Sequence, residues 1–82
     1  MDVVKEFTEK LILGLVKDTD IVKVKDFEDE EGNLILEVIV SQADMPVVIG
    51  RSGATAKSIR TLVNAVAYKQ KLNRVKVNID SI

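Results

Sequence analysis

The run at residues 34–40, L-I-L-E-V-I-V, constrains this chain most. Six of its seven residues are apolar and four are β-branched. That length and composition favour a largely buried strand over a helix. A buried strand needs neighbouring strands for its backbone groups and a cover for its side chains. The rest of the chain must therefore supply both.

The strands are found on either side. Residues 21–27 alternate, with Val22 and Val24 directed one way and Lys23 and Lys25 the other. The charged turn E-D-E-E-G-N at 28–33 joins them to the apolar run as an antiparallel hairpin. Residues 74–79 alternate again, with Val75, Val77 and Ile79 inward and Arg74, Lys76 and Asn78 outward.

Three helices can cover the sheet. Asp2 is placed to cap a helix over residues 2–17, in which Val4, Phe7, Leu11 and Leu15 make an apolar stripe widened by Val3 and Ile12. Residues 18–20 then form a polar turn. Ser41 or Asp44 can cap a short helix that ends at Gly50, because Pro46 fits only in a first turn. After the turn Gly50-Arg51-Ser52-Gly53, a longer helix is expected over 54–72, closed by Asn73. Its apolar stripe is Ile59, Leu62, Val63 and Val66, and its polar face carries Lys57, Arg60, Asn64 and Lys71. The order is α-β-β-α-α-β. Two helices between the second and third strands give the length a parallel crossover needs. The expected fold is α+β: one domain over residues 1–82, with a three-stranded mixed sheet covered on one face by three helices.

Composition removes several functions. The chain of 82 residues has no cysteine and no histidine. A disulfide framework, a zinc knuckle, a thiol nucleophile and a Ser-His triad are therefore excluded. The densest carboxylate cluster, residues 28–31, reads as a solvated turn. With no nucleophile–base pair and no metal set in view, no enzyme, cofactor or metal is expected. No stretch approaches the roughly 18 apolar residues of a membrane span, and the N-terminus lacks a signal-peptide pattern. No membrane partner and a cytoplasmic location are expected.

The net charge of −1 conceals an asymmetry. Residues 1–44 hold twelve acids and five bases, a sum of −7, whereas residues 45–82 hold one acid and seven bases, a sum of +6. Such a chain either presents an electropositive face to an anion or interleaves the two halves in space.

The informative segment is Val48-Ile49-Gly50-Arg51-Ser52-Gly53-Ala54 and the helix after it. Gly50 can adopt a left-handed conformation and end one helix, and Gly53 can allow another backbone to approach the start of the next. The free amides and the positive helix end there suit a phosphate. Arg51 adds charge, Ser52 a hydroxyl, and Lys57 lies one turn further on. A plain helix–helix turn is the simpler reading of two glycines three apart. A nucleotide-binding P-loop fails on spacing, because its second glycine stands five residues after the first and here Thr55 occupies that place.

The segment V-I-G-R-S-G, followed by Ala56, Ile59, Leu62 and Val63, resembles the K-homology (KH) RNA-binding motif. The element order is similar to the type II, prokaryotic variant. Ala43-Asp44-Met45 with Val48-Ile49-Gly50, and Ile59-Arg60-Thr61-Leu62-Val63, resemble the small bacterial KhpA (YlqC-like) family over nearly the whole chain. The family commonly has Gly-Lys where this chain has Pro46-Val47.

The resemblance implies a site that holds about four nucleotides of single strand. Gly50 and Gly53 would shape the loop, and Arg51 and Ser52 would contact phosphates. Ile49 and Ala54, with Val48, would floor the base pockets, and Lys57 and Arg60 would add attraction. The implied partners are single-stranded RNA or single-stranded DNA, a second copy of the chain, and a larger KH-containing RNA-binding protein. Phe7 reads as core, and Phe27 and Tyr68 as edge packing, so little base stacking is expected. Two functions follow: an RNA chaperone or post-transcriptional regulator that works by binding, or an adaptor with a KH fold that acts through its larger partner.

Overall fold

The computed structural model describes residues 2–82, with the side chain of Asp2 outside the description, so its capping role falls outside it too. The elements are α1 (Asp2–Leu13), β1 (Lys23–Glu28), β2 (Leu34–Val40), α2 (Met45–Ile49), α3 (Ala54–Lys69) and β3 (Lys76–Ser81). Short 3₁₀ turns occupy Thr19–Ile21, Gln42–Asp44 and Arg51–Gly53.

β2 is the central strand, as its composition requires. It pairs antiparallel with β1, Lys25 opposite Glu37, and parallel with β3, Glu37 opposite Asn78. Its side chains alternate. Leu34, Leu36, Val38 and Val40 are buried under the helices, while Ile35, Glu37 and Ile39 are half-buried on the other face. The apolar run is thus sealed on one face only, which is why a charge at position 37 is tolerated.

Helix α1 buries Val4, Thr8 and Ile12, with Phe7, Leu11 and Leu15 packed beside them. The line of full burial therefore runs through Thr8, and Val3 lies half-exposed. The Thr8 hydroxyl donates to the Val4 carbonyl at 2.8 Å, so its burial leaves no polar group unpaired. The helix stops at Leu13, four residues short of the predicted end. Gly14 follows, and the Lys17 and Asp18 amides leave the helical ladder for the Asp44 carboxylate, at 3.1 and 2.9 Å. Leu15 and Val16 still pack on the core.

The same carboxylate settles the capping alternatives. Ser41 accepts from the Asp44 amide at 3.2 Å and donates to Asp44 Oδ2 at 3.0 Å. Ser41 therefore caps the 3₁₀ turn Gln42–Asp44 that leads into α2, and Asp44, at the cap position of α2 itself, makes no side-chain bond to that helix. Asp44, 3% exposed, ties the exit of α1 to the entry of α2. The Asp18 amide first, then the Lys17 amide, hold its carboxyl below the ordinary value of 3.8. A depressed carboxylate stabilises the fold above its unfolded pKa, and that contribution is lost as pH falls through the folded value. Asp44→Asn places an amide N–H against a backbone donor. Its melting temperature at pH 7 should fall by several degrees. The gap to wild type should narrow below about pH 4, where wild type loses the same contribution; a thermal melt series across pH checks this.

Three later elements depart from their predicted bounds. β1 begins at Lys23 rather than 21, because Thr19–Ile21 form a 3₁₀ turn. β3 begins at Lys76 rather than 74. α3 ends at Lys69, not 72, and Asn73 does not close it. Lys71 takes φ +62° and donates to Tyr68, while Leu72 donates to Ala67 at 3.0 Å and packs on the core. These are the two bonds of a Schellman turn, made here without glycine. The buried stripe of α3 is Ala56, Ile59, Val63 and Ala67. Leu62 is not part of it and is 48% exposed. Phe27 and Tyr68 are exposed as well, at 46% and 84%, rather than packed at an edge. No helix among the described residues is long and apolar enough to cross a membrane.

Candidate nucleic-acid interface

The loop between α2 and α3 is built on positive backbone angles. Gly50 has φ +77° and ψ 176°, Ser52 φ +54° and Gly53 φ +79°. The Gly53 amide closes the turn on the Gly50 carbonyl at 3.2 Å. The reasons for the two glycines differ from the sequence expectation. Gly50 is the crowded one: a Cβ there would lie 2.7 Å from the Thr55 amide nitrogen and closer still to its hydroxyl. Its angles also fall in a region open essentially to glycine alone. A Cβ at Gly53 would meet open space, so Gly53 is required by its left-handed angle and not by a close approach.

This frame lifts Arg51 and Ser52 into solvent, where both are exposed. Ser52 holds a left-handed conformation that costs a non-glycine residue about 1 kcal/mol or more. Strain retained in an exposed loop gathers at binding sites. Among the described residues no side chain caps the N-terminus of α3, so its positive end is left to attract an anion. Ile49 is half-buried and Ala54 exposed beside the loop, while Val48 is fully buried and belongs to the core. Val47 is 47% exposed.

Lys57 and Arg60 project from α3 on the side facing β3, and both are exposed. There a cleft of about 510 Å³ opens between α3 and β3, lined by Arg60, Asn64, Arg74, Lys76 and, at its far end, Asp29. A second depression links Lys57, Arg60 and Thr61 to it. Four of the seven bases of the C-terminal half, Lys57, Arg60, Arg74 and Lys76, thus gather along one groove, bordered among the described residues by one acid, Asp29. Asp29 is held ionised by the backbone amide of Asn33 above all, which lowers its pKa.

Two α3 side chains fix the cleft wall. The Arg60 Nε donates to the Val77 carbonyl at 3.1 Å. Asn64 accepts from the Val75 amide at 2.8 Å and donates to the Val75 carbonyl at 3.0 Å. Asn64 thereby occupies both polar groups of Val75, the residue that leads into the edge strand β3. Arg60 has a structural partner through one nitrogen while it lines the groove. The sequence placed Asn64, Arg74 and Lys76 on polar faces without joining them; only the parallel pairing of β3 brings those faces together. Among the described residues no group of three metal-ligating side chains is assembled.

Comparison with known proteins gives a consistent result. A family model for the KhpA/KhpB KH domain matches residues 5–79. The RNA-binding protein KhpA of Thermotoga maritima is 40% identical over 73 residues, covering 89% of this chain and 96% of that protein. KhpA of Borreliella burgdorferi is 42% identical over 74 residues, covering 90% of this chain and 88% of that one. Two solved structures share the fold. Aquifex aeolicus Era, as a variant bound to GDP and aluminium fluoride, superposes with a TM-score of 0.64 at 16% identity. Era in complex with MgGDPNP and nucleotides 1506–1542 of 16S ribosomal RNA superposes with a TM-score of 0.68 at 15% identity. Each match covers 98% of this chain but only 31% and 30% of the Era chains. At that identity the likeness is one of fold.

Proposed function

This chain belongs to the KhpA/KhpB KH-domain family, whose named members are RNA-binding proteins and not enzymes, and on that premise we propose that it holds single-stranded RNA through the loop Gly50-Arg51-Ser52-Gly53. The observation that carries this reading is the loop itself. Two glycines at positive φ hold an exposed arginine and serine over the uncapped end of α3, at the head of a basic groove.

In this account Arg51 and Ser52 meet phosphates, and Gly50 and Gly53 hold the backbone that presents them. Ile49 and Ala54 form an apolar floor beside the loop, and Lys57 and Arg60 draw the strand along α3. No bond is made or broken. The protein acts by binding alone, as an RNA chaperone or post-transcriptional regulator in the cytoplasm, with residues 1–82 working as one KH domain. Single-stranded DNA offers the same phosphates and would bind as well. One small site gives weak affinity, which pairing with a second copy or with a larger KH-containing protein would raise.

The adaptor reading keeps one specific support: Val47, where the family commonly has lysine, is half-exposed and apolar. A salt titration separates the two. With about three phosphates contacted, the log–log slope of affinity against salt for an unstructured RNA should be near −2. A chain that acts only through a protein partner would show no such binding.

A further inference from the structure

We propose that the ring of Tyr68 is a stacking platform for an RNA base, one step beyond the loop-and-cleft site. This rests on the RNA-binding reading above and extends its track along α3. An aromatic side chain normally buries its large apolar surface, yet Tyr68 is 84% exposed. Its position on the helix explains the choice of face. Lys57, Arg60, Asn64 and Tyr68 follow at steps of three and four, so they share the side of α3 turned toward β3. Tyr68 lies about 16 Å along the axis from Lys57.

A depression of about 230 Å³ continues the groove there, lined by Asn64, Tyr68, Leu72, Asn73 and Arg74. Asn64 and Arg74 also line the main cleft, so the two hollows form one path. The surroundings suit a polyanion: Lys69 and Lys71 flank the ring, and no acid occurs between residues 45 and 79. The helix end is also firm. The Leu72 amide is tied to the Ala67 carbonyl and its side chain packs on the core, so the ring stands on a fixed turn. An exposed aromatic ring carried on a fixed helix end in a basic groove is an arrangement on which bases stack without regard to sequence.

The chain supplies its own reporter, having one tyrosine and no tryptophan. Tyrosine emission is followed while four-nucleotide and eight-nucleotide single-stranded RNAs are titrated, with free tyrosine as the absorbance control. The eight-mer is expected to quench Tyr68 and the four-mer to bind without quenching. Tyr68→Ala should weaken the eight-mer by about fivefold or more and leave its salt slope unchanged, since every phosphate keeps its partner. Tyr68→Phe should retain most of the affinity. Eight-mer binding with unchanged emission and with Tyr68→Ala equal to wild type overturns stacking while leaving the loop reading in place. Equal losses in Tyr68→Phe and Tyr68→Ala overturn it too, because the hydroxyl would then be the contact. If wild type binds neither RNA, the RNA-binding reading falls and stacking falls with it.

Discussion

Gly50→Ala is expected to destabilise the protein by about 3 kcal/mol. Two costs add. The backbone angles at Gly50, φ +77° and ψ 176°, are strained for any residue with a side chain. The new Cβ would also press on the Thr55 amide nitrogen and hydroxyl at the start of α3. The hydroxyl could turn away, but the Thr55 Cβ and amide nitrogen, each 2.7 Å from the added atom, cannot, being fixed in the first turn of a 16-residue helix. Relief must come from moving the loop, so RNA affinity should fall with stability. Gly53→Ala makes the contrast. It meets open space and bears only the left-handed penalty of about 1–2 kcal/mol. Urea unfolding of the two variants checks the ranking. Equal destabilisation would mean that crowding at Gly50 is not what the loop demands.

The architecture was legible because its signals were redundant. The apolar run at 34–40 became β2 at the stated bounds, and Pro46 set the start of the short helix, as its fixed φ and missing N–H require. Element ends were less legible, for a physical reason. Helix α1 ends where it does because Asp44, 26 residues ahead, offers a buried carboxylate to the Asp18 amide. No local pattern announces such a partner. The end of α3 was missed because Lys71 adopts a left-handed angle that pattern reasoning assigns to glycine or asparagine.

The site was half legible. The glycine pair and its cationic interior were evident, yet the reason for each glycine was not. Whether a Cβ at 50 or at 53 would collide depends on where Thr55 falls in three dimensions. The cleft wall was invisible for a similar reason. Asn64 and Arg60 read as a solvated helix face until the parallel pairing of β2 with β3 sets the Val75 and Val77 backbones beside them. Tyr68 was misplaced because spacing alone does not tell a ring packed at an edge from one left in solvent.

The central claim is that the Gly50-Arg51-Ser52-Gly53 loop is where RNA is held, and its most direct test is the double variant Arg51→Asp, Ser52→Asp. Both side chains are exposed, so the change leaves the core and both glycines untouched. The substitution converts a cation and a hydroxyl into two carboxylates where phosphates are expected, and like charges there repel the strand. Fluorescence anisotropy with a labelled, unstructured RNA over a salt series measures the effect, and circular dichroism confirms that the variant is folded. Affinity should fall by about tenfold or more at low salt. The salt slope should become shallower by about 0.7 for each phosphate that the variant no longer holds. Equal binding by wild type and variant, or no binding by wild type, would contradict the account.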